Sequence, residues 1–115
     1  MKLIYKTKKV EKLCTNEKTA IKDLGKDVAN RLIMAIQLLE SAVNLKDILV
    51  LPQYKLHVLK GDLEGIYSMY LGKTTGYRLL LIPLDSNEEP IKNNDMSVYT
   101  IAVCIEIIEV TKHYE

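Results

Sequence analysis

The side chains of this 115-residue chain that can move a proton or hold an anion fall in two stretches. The first runs from His57 through Lys60, Tyr70, Lys73 and Tyr77 to Arg78, and the second is Lys112-His113-Tyr114. An imidazole titrates near neutrality and so can accept or give a proton during a reaction. A guanidinium forms two-pronged contacts with phosphate oxygens, and Arg78 is one of only two arginines, the other being Arg31. All seven aromatic residues are tyrosines, which can stack on nucleic-acid bases. Neither Cys14 nor Cys104 stands at metal-ligand spacing, and two cysteines make no disulfide framework. Both are expected to be reduced thiols, Cys104 as a small core hydrophobe, with no metal or other cofactor.

Those groups need a scaffold. A composition of 48% hydrophobic and 27% charged residues is that of a folded globular protein, and the length suffices for one core. A single domain over residues 1–115 is expected. Met1 to Lys6 holds too short an apolar stretch for a signal-peptide core, and no apolar run approaches the length of a membrane span, so a cytoplasmic protein is expected. The net charge of +1 conceals two opposed halves: residues 1–60 carry 12 Lys or Arg against 6 Asp or Glu, and residues 61–115 carry 4 against 9. A half with that excess can meet a polyanion although the total is nearly neutral. Leu3-Ile4-Tyr5 reads as a short strand, followed by a lysine-rich segment and a helix from Asn16 to Leu24 that Gly25 ends in a left-handed conformation. Asp27 is placed as the cap of a second helix, whose stripe of Val28, Leu32, Ala35, Ile36, Leu39, Ala42 and Val43 runs to about Leu45. After Pro52, runs rich in Tyr, Leu, Ile and Val predict strands over Lys55–Leu59, Gly65–Leu71, Tyr77–Leu84 and Val98–Val110. Gly72 to Gly76 makes the hairpin loop, and the polar stretch from Asp85 to Asp95 is read as a mobile connection. The predicted fold is α+β: a short N-terminal strand and two helices packed on one face of a mainly antiparallel sheet.

The block from Leu56 to Ser68, with its histidine, Leu59-Lys60-Gly61-Asp62, Gly65 and Tyr67-Ser68, is followed by Tyr77-Arg78-Leu79. It resembles the HigB branch of the RelE/ParE superfamily of toxins from type II toxin-antitoxin systems. Lys8-Lys9-Val10-Glu11-Lys12-Leu13 matches a Lys-Lys-x-Glu-Lys-Leu pattern near the start of family members, and the order of elements agrees. The resemblance spans almost the whole chain, with its specific part between Leu56 and Leu79. It implies a ribosome-dependent mRNA interferase, an endoribonuclease that enters the ribosomal A site and cuts translated mRNA. RNA supplies its own nucleophile, the 2′-hydroxyl, so the protein must provide a proton acceptor, a proton donor and positive charge at the phosphate.

On that resemblance Arg78 is the phosphate-facing arginine, His57 a proton-transfer group and Lys60 a stabiliser of phosphate charge, while Gly61-Asp62 sets a turn. Many HigB-like chains end in Asp-Tyr-His, whereas the corresponding positions here are Lys112, His113 and Tyr114. His113 therefore takes the family histidine's place only if the strand slips by one residue; otherwise Tyr114 replaces it. Tyr70, Lys73, Tyr77 and Lys112 are candidates for RNA contact, and Lys8, Lys9 and Lys12 for sequence-blind contact with RNA phosphates. Tyr5, Tyr67 and Tyr99 are assigned to packing. The implied partners are the ribosome with its mRNA and a cognate HigA-like helix-turn-helix antitoxin, which alone would hold operator DNA. Two rivals use the same fold: a ParE-like toxin that inhibits DNA gyrase without cutting RNA, and a decayed toxin that only binds its antitoxin.

Overall fold

The computed structural model describes residues 1–61, 65–91 and 95–112. The chain runs β1 (Lys2–Tyr5), α1 (Lys8–Thr15), α2 (Glu17–Leu24), α3 (Lys26–Ser41), α4 (Lys46–Leu49), a 3-10 turn (Pro52–Tyr54), β2 (His57–Val58), β3 (Tyr67–Tyr70), β4 (Tyr77–Leu84), α5 (Val98–Ile101) and β5 (Cys104–Lys112). The five strands form one mixed sheet in the order β1-β5-β4-β3-β2, in which only the β1/β5 pair is parallel. This is the expected α+β architecture, with the single-turn helices α4 and α5 and one longer additional helix.

That helix, α1, occupies the lysine-rich segment. The Thr7 hydroxyl accepts from the Val10 backbone N–H at 3.1 Å to cap it, and Val10 and Cys14 turn into the core with the half-buried Leu13 between them. Asn16 ends α1 and starts α2, where its Oδ1 accepts from the Thr19 N–H at 3.0 Å. Gly25 then separates α2 from α3 at φ 84° and ψ 161°, a combination open only to glycine, and not the left-handed helical turn anticipated for it. Asp27 is not the cap of α3. It sits in the first turn and reaches Arg31 one turn on, with Oδ1 accepting from Nε at 3.1 Å.

The stripe of α3 is buried as its spacing requires, from Val28 through Leu32, Ala35 and Ile36 to Leu39. The helix stops at Ser41, however, where the Met1 ammonium donates to the carbonyls of Leu39, Glu40 and Ala42 at 3.0, 2.8 and 2.7 Å. Val43, now beyond the helix, is exposed instead of completing the stripe, while Leu45 is buried from the following turn. Helices α1 and α3 lie against the sheet and α2 packs onto both. Between helices and sheet the largest buried side chains include Leu32, Leu39, Met69, Leu79, Leu81, Ile105 and Ile107.

Two strand expectations and one loop expectation change. The first shrinks to His57–Val58, because Lys55 adopts a left-handed conformation (φ 43°, ψ 49°) at the end of the 3-10 turn. The last begins only at Cys104: Val98–Ile101 is a helical turn that buries Val98 and Tyr99, and its entry is tied by Asp95 Oδ1, which accepts from the Ser97 N–H at 2.8 Å and from its hydroxyl. The start of the polar connection forms a hydrogen-bonded turn. Asp85 Oδ1 accepts from the N–H groups of Asn87 and Glu89 at 2.8 and 3.1 Å, and Pro90 bridges back to Leu84. Between β4 and β5 a bulge shifts the register at Leu80/Leu81. Among the described residues no helix is long and apolar enough to cross a membrane.

Candidate functional site

A cleft of about 850 Å³ opens where the end of β3, the β3–β4 hairpin and the start of β4 meet α3 and the segment Pro52–Lys55. Its chemistry is cationic and aromatic: Arg31, Tyr54, Lys55, Tyr70, Lys73 and Arg78 all line it, and no carboxylate does among the described residues. Sheet register explains part of this convergence. Tyr70 of β3 is the cross-strand partner of Arg78 of β4, and His57 of β2 is the partner of Ser68, two residues before Tyr70. Side chains alternate along a strand and cross-strand partners share a face, so His57, Tyr70 and Arg78 stand on the same face of the sheet.

Tyr70 is the hub. The Arg78 guanidinium carbon lies 3.6 Å from the centre of its ring, Lys55 Nζ lies 5.3 Å from the same centre, and the His57 ring meets it edge-on with centroids 6.4 Å apart. A cation over a tyrosine face is attracted by the ring quadrupole, by about 2 kcal/mol where water is excluded. Arg78 is only 8% exposed, and its Nη1 donates to the Tyr77 carbonyl at 3.0 Å. So close an approach to the ring orients the guanidinium. The His57 Nδ1 lies 2.7 Å from the Lys55 carbonyl. A carbonyl can only accept, so Nδ1 carries the proton and the basic lone pair of a neutral ring is on Nε2. The left-handed Lys55 thus brings its ammonium over Tyr70 and its carbonyl to His57. Ser68, the cross-strand partner of His57, is fully buried and its hydroxyl has no hydrogen-bond partner among the described residues, an arrangement costing roughly 1–3 kcal/mol.

The residues singled out from the sequence divide by location. Tyr70, Lys73 and Arg78 line the cleft and His57 adjoins it through Tyr70. Lys60 is exposed in the segment after β2 and lies outside the lining. Tyr77 and Lys112 pair across β4 and β5 on the sheet face opposite to Arg78, with Lys112 Nζ 5.4 Å from the Tyr77 ring centre. Lys8, Lys9 and Lys12 are exposed on α1, away from the cleft. His113 and Tyr114, like Asp62, lie outside the described residues. Tyr67 and Tyr99 are buried and meet edge-on at 5.8 Å, and Tyr5 packs on the core. Both cysteines are free and buried, and burial raises both thiols, that of Cys14 to about 12.

Arg31, Tyr54 and Lys55 were not singled out as site residues. Arg31 falls on the polar side of α3 and reads as a solvent residue from its spacing. Lys55 and Tyr54 precede the motif and join it only through the 3-10 turn.

Compared by sequence, the chain matches no family profile and no curated protein. By structure it resembles a YoeB/ParE toxin from Agrobacterium tumefaciens with a TM-score of 0.55 and 15% identity over 99% of this chain and 100% of that one. The fold is therefore of the RelE/ParE-like toxin type.

Proposed function

We propose that this protein is the toxin of a type II toxin-antitoxin pair and acts in the cytoplasm as a HigB-like, ribosome-dependent mRNA interferase. The observation that carries this reading is the convergence of Arg78, Lys55 and His57 on Tyr70 at the edge of a cleft that no carboxylate lines among the described residues. Attack by a 2′-hydroxyl on its own phosphate concentrates negative charge on the phosphorane oxygens, and a pre-oriented guanidinium beside an ammonium suits that charge. His57, with its proton held on Nδ1, has the tautomer of a general base acting through Nε2. A cognate HigA-like antitoxin would neutralise the protein.

Brief induction in growing cells followed by mapping of new mRNA 5′ ends tests the reading. New ends inside translated frames are expected, and Arg78→Ala should remove them along with toxicity while the chain stays folded. Growth arrest with an unchanged transcript profile rejects ribonuclease action. Inhibition of purified gyrase in a supercoiling assay would then assign the ParE-like function, and normal growth with folded protein would assign a decayed toxin.

A further inference from the structure

The cleft holds a second arginine that attack by the 2′-hydroxyl does not require. Arg31 enters from α3, opposite in origin to Arg78 on β4, and although its side chain is about half exposed (49%) it is held at two points. On one side its Nε donates to Asp27 Oδ1 at 3.1 Å. On the other its stem crosses the hairpin at Gly72: a Cβ added there would lie 2.9 Å from Arg31 Cδ and 3.0 Å from Arg31 Nε. Gly72 also has φ +94°, so glycine serves both the turn and the passage of the arginine. The hairpin is itself pinned, with Thr75 Oγ1 donating to the Leu71 carbonyl at 2.7 Å and accepting from the Tyr77 N–H at 3.1 Å.

The consequence is a guanidinium held by its inner nitrogen only. Neither Nη group has a partner among the described residues, and the Nη1/Nη2 end is the fork that grips two phosphate oxygens at once. Arg31, Lys55, Lys73 and Arg78 give the lining four cations, more than one phosphodiester needs. The volume lies toward the upper end of the roughly 300–1,000 Å³ of sites that enclose whole small molecules.

We propose that the Asp27–Arg31–Gly72 clasp is a second phosphate grip, so that the cleft takes a single-stranded segment with at least two successive phosphates. Arg31 binds and positions; it does not act on the scissile bond. This inference rests on reading the cleft as an RNA site.

The test uses the full chain and fluorescent 2′-O-methyl oligonucleotides of two and eight nucleotides, which lack the nucleophile and cannot be cut. Affinity is measured against salt concentration for the native protein, Arg31→Ala, Arg31→Lys and Gly72→Ala, each with its thermal midpoint. For the eight-nucleotide probe Arg31→Ala should lose about tenfold in affinity, and its log-log salt slope should shrink by about 0.7, one phosphate contact on a single strand. Arg31→Lys should keep the slope and lose affinity, whereas Gly72→Ala, which displaces the fork, should resemble Arg31→Ala. The dinucleotide, with one internucleotide phosphate, should be nearly indifferent to Arg31. If the native protein binds the long probe and Arg31→Ala matches it in affinity and slope, the second grip is wrong and the RNA site stands. If the native protein binds neither probe, the cleft holds no RNA by itself and the second grip is rejected, while the mapping of mRNA 5′ ends decides the ribosome-dependent reading.

Discussion

Tyr70 earns its place at the centre of the site by what surrounds its ring and not by its hydroxyl. Its face carries Arg78 and Lys55, and its edge carries His57, so one aromatic plane fixes three groups contributed by the 3-10 turn and strands β2 and β4. If this is orientation, the ring is needed and the phenol is not. On the proposed mRNA-cleaving function, Tyr70→Phe should therefore keep the rate within a few-fold of the native protein's. Tyr70→Ala should lower it on the order of a hundredfold, the usual consequence of letting catalytic groups drift by about an ångström. Single-turnover cleavage rates check this. Equal losses in the two variants would make the hydroxyl a proton donor and overturn the orienting role. The sequence placed His57, Tyr70 and Arg78 among the candidates because they stand in or beside one motif. It could not show that Tyr70 joins the other two, since that follows from the pairing of Ser68 with His57 and of Tyr70 with Arg78.

At the scale of elements, the helical layer is assembled by short polar joints. Asn16 ends α1 with its backbone N–H on the Lys12 carbonyl, and its side chain caps α2 through Thr19. Replacing it by Ala should cost about 1 kcal/mol, while Asp, which keeps the accepting oxygen, should cost less. Denaturant unfolding reads both. Because neither α1 nor α2 lines the cleft, oligonucleotide affinity at a temperature where the variants are folded should not change. The same elements show what the sequence discloses. The stripe of α3 was legible because Val28 to Leu39 repeat on one side of a helix long enough to display the period. Helix α1 was not, although Val10, Leu13 and Cys14 have the same spacing: one turn of apolar residues among lysines gives too little pattern to outweigh the charge. Val98 to Ile101 misled in the other direction. Its β-branched residues favour a strand, but burial of Val98 and Tyr99 and the Asp95–Ser97 turn set the local conformation. Arg31 and Lys55 escaped because nothing local to α3 or to the 3-10 turn signals that each will face the β3–β4 hairpin; only the tertiary packing does.

For the whole molecule, the titrating groups that burial perturbs most lie together in the helix-and-β1 layer, away from the cationic cleft. Cys14 of α1 is 3% exposed, and burial lifts its thiol from an ordinary 9.0 to about 12. Tyr5 of β1 is lifted from 10.0 to about 12, chiefly by burial and then by the neighbouring Cys14, Glu40 and Glu11. Each loses a proton more readily when the chain is unfolded, so between the ordinary and the raised values the folded state binds more protons than the unfolded state. Stability contributed in this way is complete below about pH 9 and drains away as pH climbs toward about 12. Urea unfolding at successive pH values should accordingly show stability falling across that alkaline interval on account of these groups. Cys14→Ala should lower stability near neutrality by leaving a small cavity, yet it should flatten the alkaline decline because the first proton to be lost is no longer there. An equally steep decline in Cys14→Ala would mean that the thiol is not the group responsible. Since neither Cys14 nor Tyr5 lines the cleft and both hold their protons below about pH 9, neither should contribute to a pH dependence of oligonucleotide binding in that range.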